Sequence, residues 1–330
     1  MILINNNNIT DATINLALEE WAVRNLDFEK DDYLLFYINA NAIIIGKHQN
    51  TIEEINSDYV KEKNIQVVRR ISGGGAVYHD NGNLNFSFLT KFSQERIHNF
   101  KKFTHPVIET LIKLGVNAGL NGRNDITAED KKISGNAQFS NTKAMFSHGT
   151  LLFDTQLDDV VKALNVKMDK IESKGVKSIR SRVGNISEFM LKKIDILDFK
   201  QRLLDSIFEG KEYTTYNLSD DEWKQVYELS NSKYKNWDWN YGRSPEFNIQ
   251  KSHRFDFGLI DARIDVKDGF IKAIKIYGDF LAHGDVDEIE SKLMNKKYKQ
   301  EDMNEALKDV DMLHNIGPIT KEDFTEFLLN

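Results

Sequence analysis

The stretch VRRISGGGAVYHDNGNLNFSF at residues 68–88 constrains this chain more than any other. Gln66 to Ile71 is rich in β-branched residues and predicts a strand. Gly73, Gly74 and Gly75 lack a Cβ, so they reach positive φ and let backbone approach a ligand closely. Successive N–H groups in such a turn form a nest that binds anions, phosphate above all. Arg69 and Arg70 stand at its mouth, and a guanidinium grips a phosphate bidentately where a lysine cannot. Asn81-Gly82 signals a hairpin. Beyond it Leu84, Phe86 and Phe88 alternate with Asn83, Asn85 and Ser87, predicting a half-buried strand that braces the loop. The pattern is neither GxxxxGK[ST] nor the G-x-G-x-x-G that opens a Rossmann helix. Glycines alone fit a phosphate cradle or a mobile loop equally; the flanking Arg70 and the rigid hairpin favour the cradle.

A second stretch, GRNDITAEDKKISGNAQ at 122–138, carries the other candidate chemistry. A turn holding Glu129 and Asp130 leads to Lys131 and Lys132, and small residues follow. A lysine entering Ser-Gly-Asn-Ala has room for a ligand beside it; the bland alternative is a surface lysine on a hairpin. FSHGTLLFD at 146–154 predicts a strand with His148 near its start, as a catalytic or a buried structural histidine.

No cysteine occurs, so there is no disulfide, thiolate zinc site or cysteine nucleophile. The formal charge is 44 − 51 = −7, and residues 301–330, with eight acids and two bases, supply −6 of it. The near-neutral remainder argues against nucleic-acid binding. No apolar run approaches ~18 residues, so no membrane span is expected. MILINNNNIT lacks the basic-then-apolar order of a signal peptide, and a cytoplasmic protein is expected.

Along the chain, residues 11–25 predict a helix capped by Thr10 or Asp11, with Ile14, Ala17, Leu18, Trp21 and Ala22 on one face. YLLFYI (33–38) and AIIIG (42–46) read as paired strands around an Asn39–Asn41 turn. GKHQN (46–50) faces a site or is a solvated loop. Thr104 is a candidate cap with Pro106 in the first turn of a helix that Gly115 stops. KMDKIESKGVKSIRSR (167–182) has six bases against two acids and suits a loop covering a polyphosphate, or a solvated linker. Ser187, Asp198 and Ser219 precede helical patterns. NWDWNYGRSPEFN (236–248) marks a boundary. A hairpin across Lys267-Asp268 and helices near 285–294, 300–309 and 320–329 then make a small α+β domain.

Taken together, RRISGGGAVYHDNGNLNFSF, GRNDITAEDKKISGNAQ, FSHGTLLFD, ESKGVKSIRSRV and NWDWNYGRSPEF resemble the lipoate–protein ligase A family, in order and spacing along essentially the whole chain. The resemblance implies an α/β (α+β) catalytic domain with mixed sheets at 1–245, related to biotin ligases and class II aminoacyl-tRNA synthetases. A C-terminal accessory domain follows at 246–330. It implies that ATP, with Mg2+, converts lipoate to lipoyl-AMP. A lysine on an apo lipoyl domain of a 2-oxoacid dehydrogenase E2 subunit, or on glycine-cleavage H protein, then takes the lipoyl group. No protein nucleophile is required, only charge stabilisation and positioning. By resemblance, Arg70, Gly73, Gly74, Gly75, Ala76, Val77 and Tyr78 hold ATP, with Asn124 and Asp125 nearby and Asp125 a magnesium candidate. Lys132 bridges the lipoyl carbonyl and the α-phosphate. Arg70, Ser72, His79, Tyr37, Ala137 and His148 are lipoate-binding candidates. Lys174, Arg180 and Arg182 belong to a loop closing on the adenylate. Because one methylene changes discrimination by only about 1–3 kcal/mol, octanoate is expected to be accepted too.

Three rival readings differ in class. A carrier-to-carrier acyl transferase of this fold works through a cysteine thioester, which this chain cannot form. A biotin ligase has a different glycine loop, and no N-terminal helix-turn-helix is visible here. A non-catalytic nucleotide- or lipoate-binding module would keep Arg70 and the glycines without needing Lys132. A monomer is expected.

Overall fold

Apolar strands such as Tyr33–Ile38 and Ala42–Ile45 are buried and anchor the core of the molecule. The computed structural model describes residues 1–164, 182–241, 248–267 and 269–329. They divide into two compact units, one of Met1–Ile45, Ile52–Arg69 and Ala76–Asn240, the other of Gly46–Thr51, Arg70–Gly75 and Tyr241–Asn330.

In the first unit, eight described strands form one sheet in the order Thr215–Tyr216, Ile2–Ile4, Tyr33–Ile38, Asn83–Lys91, Ala144–Leu152, Lys131–Ser140, Asp125–Ala128, Ala118–Asn121. The first three run parallel to one another and the remaining pairs are antiparallel, a mixed sheet as expected. Side chains alternate between its faces. Leu34, Phe36, Leu84, Phe86, Phe88 and Leu151 pack with Val107 and Leu111 of helix Phe100–Lys113 and with Phe199 and Leu203 of helix Ile196–Ile207. The opposite face carries Asn85, Ser87 and His148, and helix Ala12–Asn25 lies over it, Glu19 meeting His148. The expected alternation of Asn83–Lys91 is therefore present, but both of its faces are buried.

Helix Ala12–Asn25 starts where Asp11 accepts from Thr13 N–H at 2.8 Å. It is buried nearly all round, Asn15, Glu19 and Glu20 included, rather than along one apolar face. Helix Asp220–Leu229 and the π-helical turn Ser230–Tyr234 back it, with Trp21 Nε1 donating to Gln225 at 2.9 Å and Ser230 Oγ to Thr13 Oγ1 at 2.9 Å. Ser219 opens that second helix with a capping box to Glu222.

Glu20 sits in this seam. Burial pushes its carboxyl up, but Lys233 at 2.8 Å, the Tyr234 hydroxyl at 2.6 Å and Arg24 outweigh that and hold it below the usual value. A lowered folded-state value gives stability that is present above the unfolded value and is lost as pH falls through the folded one. Glu20→Ala is expected to cost about 3 kcal/mol at pH 7, since it removes the buried carboxylate that Lys233, the Tyr234 hydroxyl and Arg24 share. The gap between variant and wild-type melting temperatures should close as pH drops below the carboxylate range; a gap that stays constant with pH would refute the ion-pair account.

A second sheet of the first unit places Ala42–Ile45 between Gln66–Arg69, parallel to it, and Val77–His79, antiparallel. The expected pairing of 33–38 with 42–46 is thus wrong: the two strands lie in different sheets. The Asn81-Gly82 hairpin is wrong for the same reason, since that turn passes the chain from one sheet to the other. The proline helix begins at Phe100, capped by Asn99, so Thr104 and Pro106 are interior. Gly115 ends it at φ +86°.

In the second unit, Ile249–Phe255, Gly258–Lys267 and Phe270–Gly278 form an antiparallel sheet. Helices Val286–Leu293, Gln300–Ala306, Met312–Asn315 and Lys321–Leu329 pack against it around Ile260, Ile274, Phe280, Ile289 and Phe324. Gly46–Asn50 is no solvated loop. His48 is buried and stacked on Phe280 with centroids 4.7 Å apart, and its carbonyl accepts from Gly278 N–H at 2.6 Å. Lys47 Nζ reaches Asp285 at 3.0 Å. No described helix is long and apolar enough to cross a membrane.

Candidate active site

The lysine strand is built from a tight turn. Glu129 and Asp130 both take positive φ, +47° and +66°, which reverses the chain between Asp125–Ala128 and Lys131–Ser140. A register shift at Ile126/Thr127 sets Thr127 opposite Lys132 and Asp125 opposite Gly135. Lys132 Nζ then lies 2.8 Å from Asp125 Oδ1, half-exposed, and 3.1 Å from where a Gly135 Cβ would stand. Gly135 keeps that space open. Asn124 is locked to the same strand: its Nδ2 donates to the Asn136 carbonyl at 2.5 Å, and Asn136 Nδ2 donates back to the Asn124 carbonyl at 2.9 Å.

Register extends this face across the sheet. Asp125, Gly135, Thr150, Asn85 and Tyr37 form one row, and Gly135 N–H donates to Thr150 Oγ1 at 3.3 Å. Ala137, His148, Ser87 and Leu35 form another on the same face. The sequence candidates Tyr37, Asp125, Lys132, Ala137 and His148 therefore share one surface. His148 Nδ1 lies 3.0 Å from both oxygens of Glu19, which is 1% exposed.

His79 ends a chain of buried amides. Asn39 Nδ2 donates to His79 Nδ1 at 3.0 Å, Asn15 Nδ2 to Asn39 Oδ1 at 2.8 Å and Asn6 Nδ2 to Asn15 Oδ1 at 3.1 Å. Nδ1 is thus the acceptor, and the ring proton sits on Nε2. Tyr78, one residue earlier, is buried; burial and the nearby Asp159 and Asp80 carboxylates push its hydroxyl well up, so it stays protonated. Glu19, Asn15 and Asn39 were not foreseen. A glutamate and two asparagines on a helix and a turn look like solvent contacts in sequence.

Arg70, Ser72, Gly73, Gly74 and Gly75 fall in the second unit. Arg70 is buried and faces its own loop: Nε donates to Ser72 Oγ at 3.0 Å, Nη2 to the Gly73 carbonyl at 2.6 Å and to the Gly75 carbonyl at 2.9 Å. A trans peptide points its N–H opposite its C=O. Drawing those two carbonyls in therefore turns the N–H groups of Gly74 and Ala76 the other way, as an anion nest requires. Gly74 takes φ +90°, and a Cβ on Gly46 would lie 1.8 Å from the Gly74 carbonyl. Lys174 and Arg180 lie outside the described residues. Arg182 precedes Val183, which pairs in parallel with Lys132, and Gly184 N–H donates to the Lys132 carbonyl at 3.0 Å.

Residues 11–208 match the lipoyl protein ligase A/B catalytic domain, and residues 244–328 match the bacterial lipoate protein ligase C-terminus. The lipoate-protein ligase LplJ of Bacillus subtilis is 54% identical over 331 residues, covering 99% of this chain and 100% of that one. Among solved structures, Plasmodium falciparum LipL1 in complex with lipoate aligns with TM-score 0.80 at 28% identity over 99% of this chain and 97% of its own. A lipoate-protein ligase A bound with ATP aligns at 0.63 and 29% identity, over 73% and 97%. A bi-partite ligase from Thermoplasma acidophilum, described with its E2 lipoyl domain, aligns at 0.67 and 30% identity, over 75% and 98%. The chain belongs to the lipoate–protein ligase family. Its reaction class is that of an amide-forming ligase, and proteins carrying lipoyl domains are the acceptors of that class.

Proposed function

We propose that this single chain performs both steps of lipoylation. A lipoate carboxylate oxygen attacks the α-phosphorus of ATP and pyrophosphate leaves. The neutral ε-amine of an acceptor lysine then attacks the lipoyl carbonyl, AMP leaves, and the amine gives up its proton. One observation carries this reading: Lys132 Nζ stands over Gly135 on a face of small and polar residues, with Asp125 as its partner. There its charge can pass from Asp125 to the oxygen on which negative charge grows. Residues 1–245 hold the activation chemistry and 246–330 are the accessory domain.

The remaining roles follow the sequence pattern. Arg70 and Gly73–Gly75 shape a phosphate nest, with Ala76, Val77 and Tyr78 continuing to the nucleotide and Asn124 fixing the turn before the lysine strand. Arg70, Ser72, His79, Tyr37, Ala137 and His148 serve the lipoyl group together with Lys132, and Arg182 the adenylate. Asp125 fits as a magnesium contact: one of its oxygens engages Lys132, and Mg2+ needs only one or two carboxylates beside substrate phosphates. The ion would neutralise charge on those phosphates. Acceptors are apo E2 lipoyl domains and H protein, and the enzyme works as a cytoplasmic monomer.

The test is mass spectrometry of apo H protein and of an apo E2 lipoyl domain, each incubated with the protein, Mg-ATP and lipoate. One added lipoyl group on either acceptor supports the reading. Pyrophosphate release without modification of either would confine the chain to activation. Neither product would leave a binding module.

A further inference from the structure

The NWDWN stretch closes on a single residue, Arg69. A short helix, Trp237–Asn240, begins where Asn236 Oδ1 accepts from Asp238 N–H at 2.7 Å. Its last two residues meet the end of strand Gln66–Arg69. Arg69 N–H donates to Asn240 Oδ1 at 2.9 Å, and Trp239 Nε1 donates to the Arg69 carbonyl at 2.8 Å. The guanidinium adds two more bonds, Nε to the Trp239 carbonyl at 2.9 Å and Nη2 to the Asn240 carbonyl at 3.1 Å. Arg69 is buried and engaged on those carbonyls, so the charge beside Arg70 is not offered to a phosphate.

Gln66–Arg69 is an edge strand of its three-stranded sheet, with Ala42–Ile45 beside it. An edge presents unpaired N–H and C=O groups. Those of Arg69 are met by an amide and an indole instead of a fourth strand. The indole and amide are themselves held. Lys233 Nζ lies 4.2 Å from the Trp239 ring centroid and binds Glu20 of helix Ala12–Asn25 at 2.8 Å, and Asn240 Nδ2 donates to the Tyr234 carbonyl at 2.7 Å.

Arg69 is also the last residue before the glycine loop. Arg69 pairs with Ile45 and Val77 with Ile44, so the two roots of the loop flank one strand and stand about 10 Å apart. Three glycines give the loop little stiffness of its own. Its course therefore depends on how its roots are held, and the Arg69 root is the one on the open edge.

We propose that Trp239 and Asn240 are positioning residues for ATP: by holding Arg69 at the sheet edge they set the direction in which Arg70 and the Gly73–Gly75 nest leave it. This rests on the reading of that nest as the phosphate site.

The experiment measures pyrophosphate release against ATP concentration for wild type, Trp239→Phe, Arg69→Lys, Arg70→Lys and the Trp239→Phe/Arg70→Lys pair, with thermal melts and hydrogen exchange of each ligand-free protein. Trp239→Phe removes one donor and keeps a ring beneath Lys233. It is expected to raise KM for ATP about 5-fold with kcat within twofold, and to speed exchange across Arg70–Gly75 before nucleotide is added. Arg69→Lys keeps both main-chain bonds, loses the guanidinium pair and should raise KM likewise. Added to Arg70→Lys, Trp239→Phe should raise KM by less than a further twofold, because both act through one loop. A lower melting temperature with KM unmoved overturns the proposal and leaves a packed corner. Effects that multiply in full in the paired variant overturn it too, since they mean separate routes to ATP. If wild type releases no pyrophosphate, the phosphate reading itself fails. Exchange then judges the clamp separately, and an Arg70–Gly75 segment that exchanges at the wild-type rate in Trp239→Phe and Arg69→Lys overturns it.

Discussion

Lys132→Ala should lower kcat for pyrophosphate release by about 10²–10³-fold, the range for removing one preorganised group that meets developing charge. The fold should not suffer. Lys132 is half-exposed and its ion pair with Asp125 is open to solvent, so thermal stability should move by less than about 0.5 kcal/mol. Lipoate binding should weaken far less than turnover, because the lysine's charge is needed most where negative charge grows. Lys132→Arg should rescue little: a planar fork replaces a point charge in a space kept open by Gly135, 3.1 Å away. Asp125→Asn should be milder than either, since it removes the lysine's resting partner and leaves the charge in place. If Lys132→Ala kept near-full turnover while lipoate affinity collapsed, the lysine would be a binding contact only.

What sequence could show, and what it could not, divides along physical lines. Asp11 and Ser219 were readable as caps because capping depends on residues a few positions away, but the same signal placed Thr104, Ser187 and Asp198 too late: those helices start after Asn99, Asn185 and Asp195. The antiparallel pair around Lys267 was readable for the same reason. Strand pairing failed where no local signal exists. YLLFYI and AIII are apolar on both faces, so no period-two pattern chose their partners. Asn81-Gly82 makes its turn, yet what each flanking strand pairs with is decided at Ala42–Ile44 on one side and at Tyr33–Ile38 and Ala144–Leu152 on the other. Buried polar partners were equally hidden. Arg69 donates to the Trp239 and Asn240 carbonyls, 170 and 171 residues away, and accepts from Trp239 Nε1 through its own carbonyl. Glu19 looked like one more helix acid until His148, 129 residues away, supplied its partner. The chemistry-bearing residues were visible because glycine runs, paired arginines and a lysine among small residues are rare. Their supporting shell was not.

Arg70→Lys carries the second large effect. Arg70 makes three donations to its own loop from one planar group: Ser72 Oγ, the Gly73 carbonyl and the Gly75 carbonyl. An ammonium has three donors on one atom and cannot span acceptors spaced along a turn. Each lost bond from a buried charged group costs about 1.5–3 kcal/mol, so the shaped loop should become less populated by one to two orders of magnitude. KM for ATP is expected to rise about 10–100-fold, and binding of lipoate to weaken as well, since Ser72 loses the guanidinium that holds it. Hydrogen exchange of the ligand-free protein distinguishes a loop organiser from a phosphate contact. As an organiser, Arg70 restrains the Gly73–Ala76 backbone before any nucleotide arrives, and Arg70→Lys should speed exchange across that segment in the absence of ATP. As a phosphate contact alone, it would leave ligand-free exchange untouched and raise KM through the lost contact. Faster exchange with a raised KM would mean that this arginine acts on ATP through the glycines, and that SGGG needs its arginine as much as its three missing side chains.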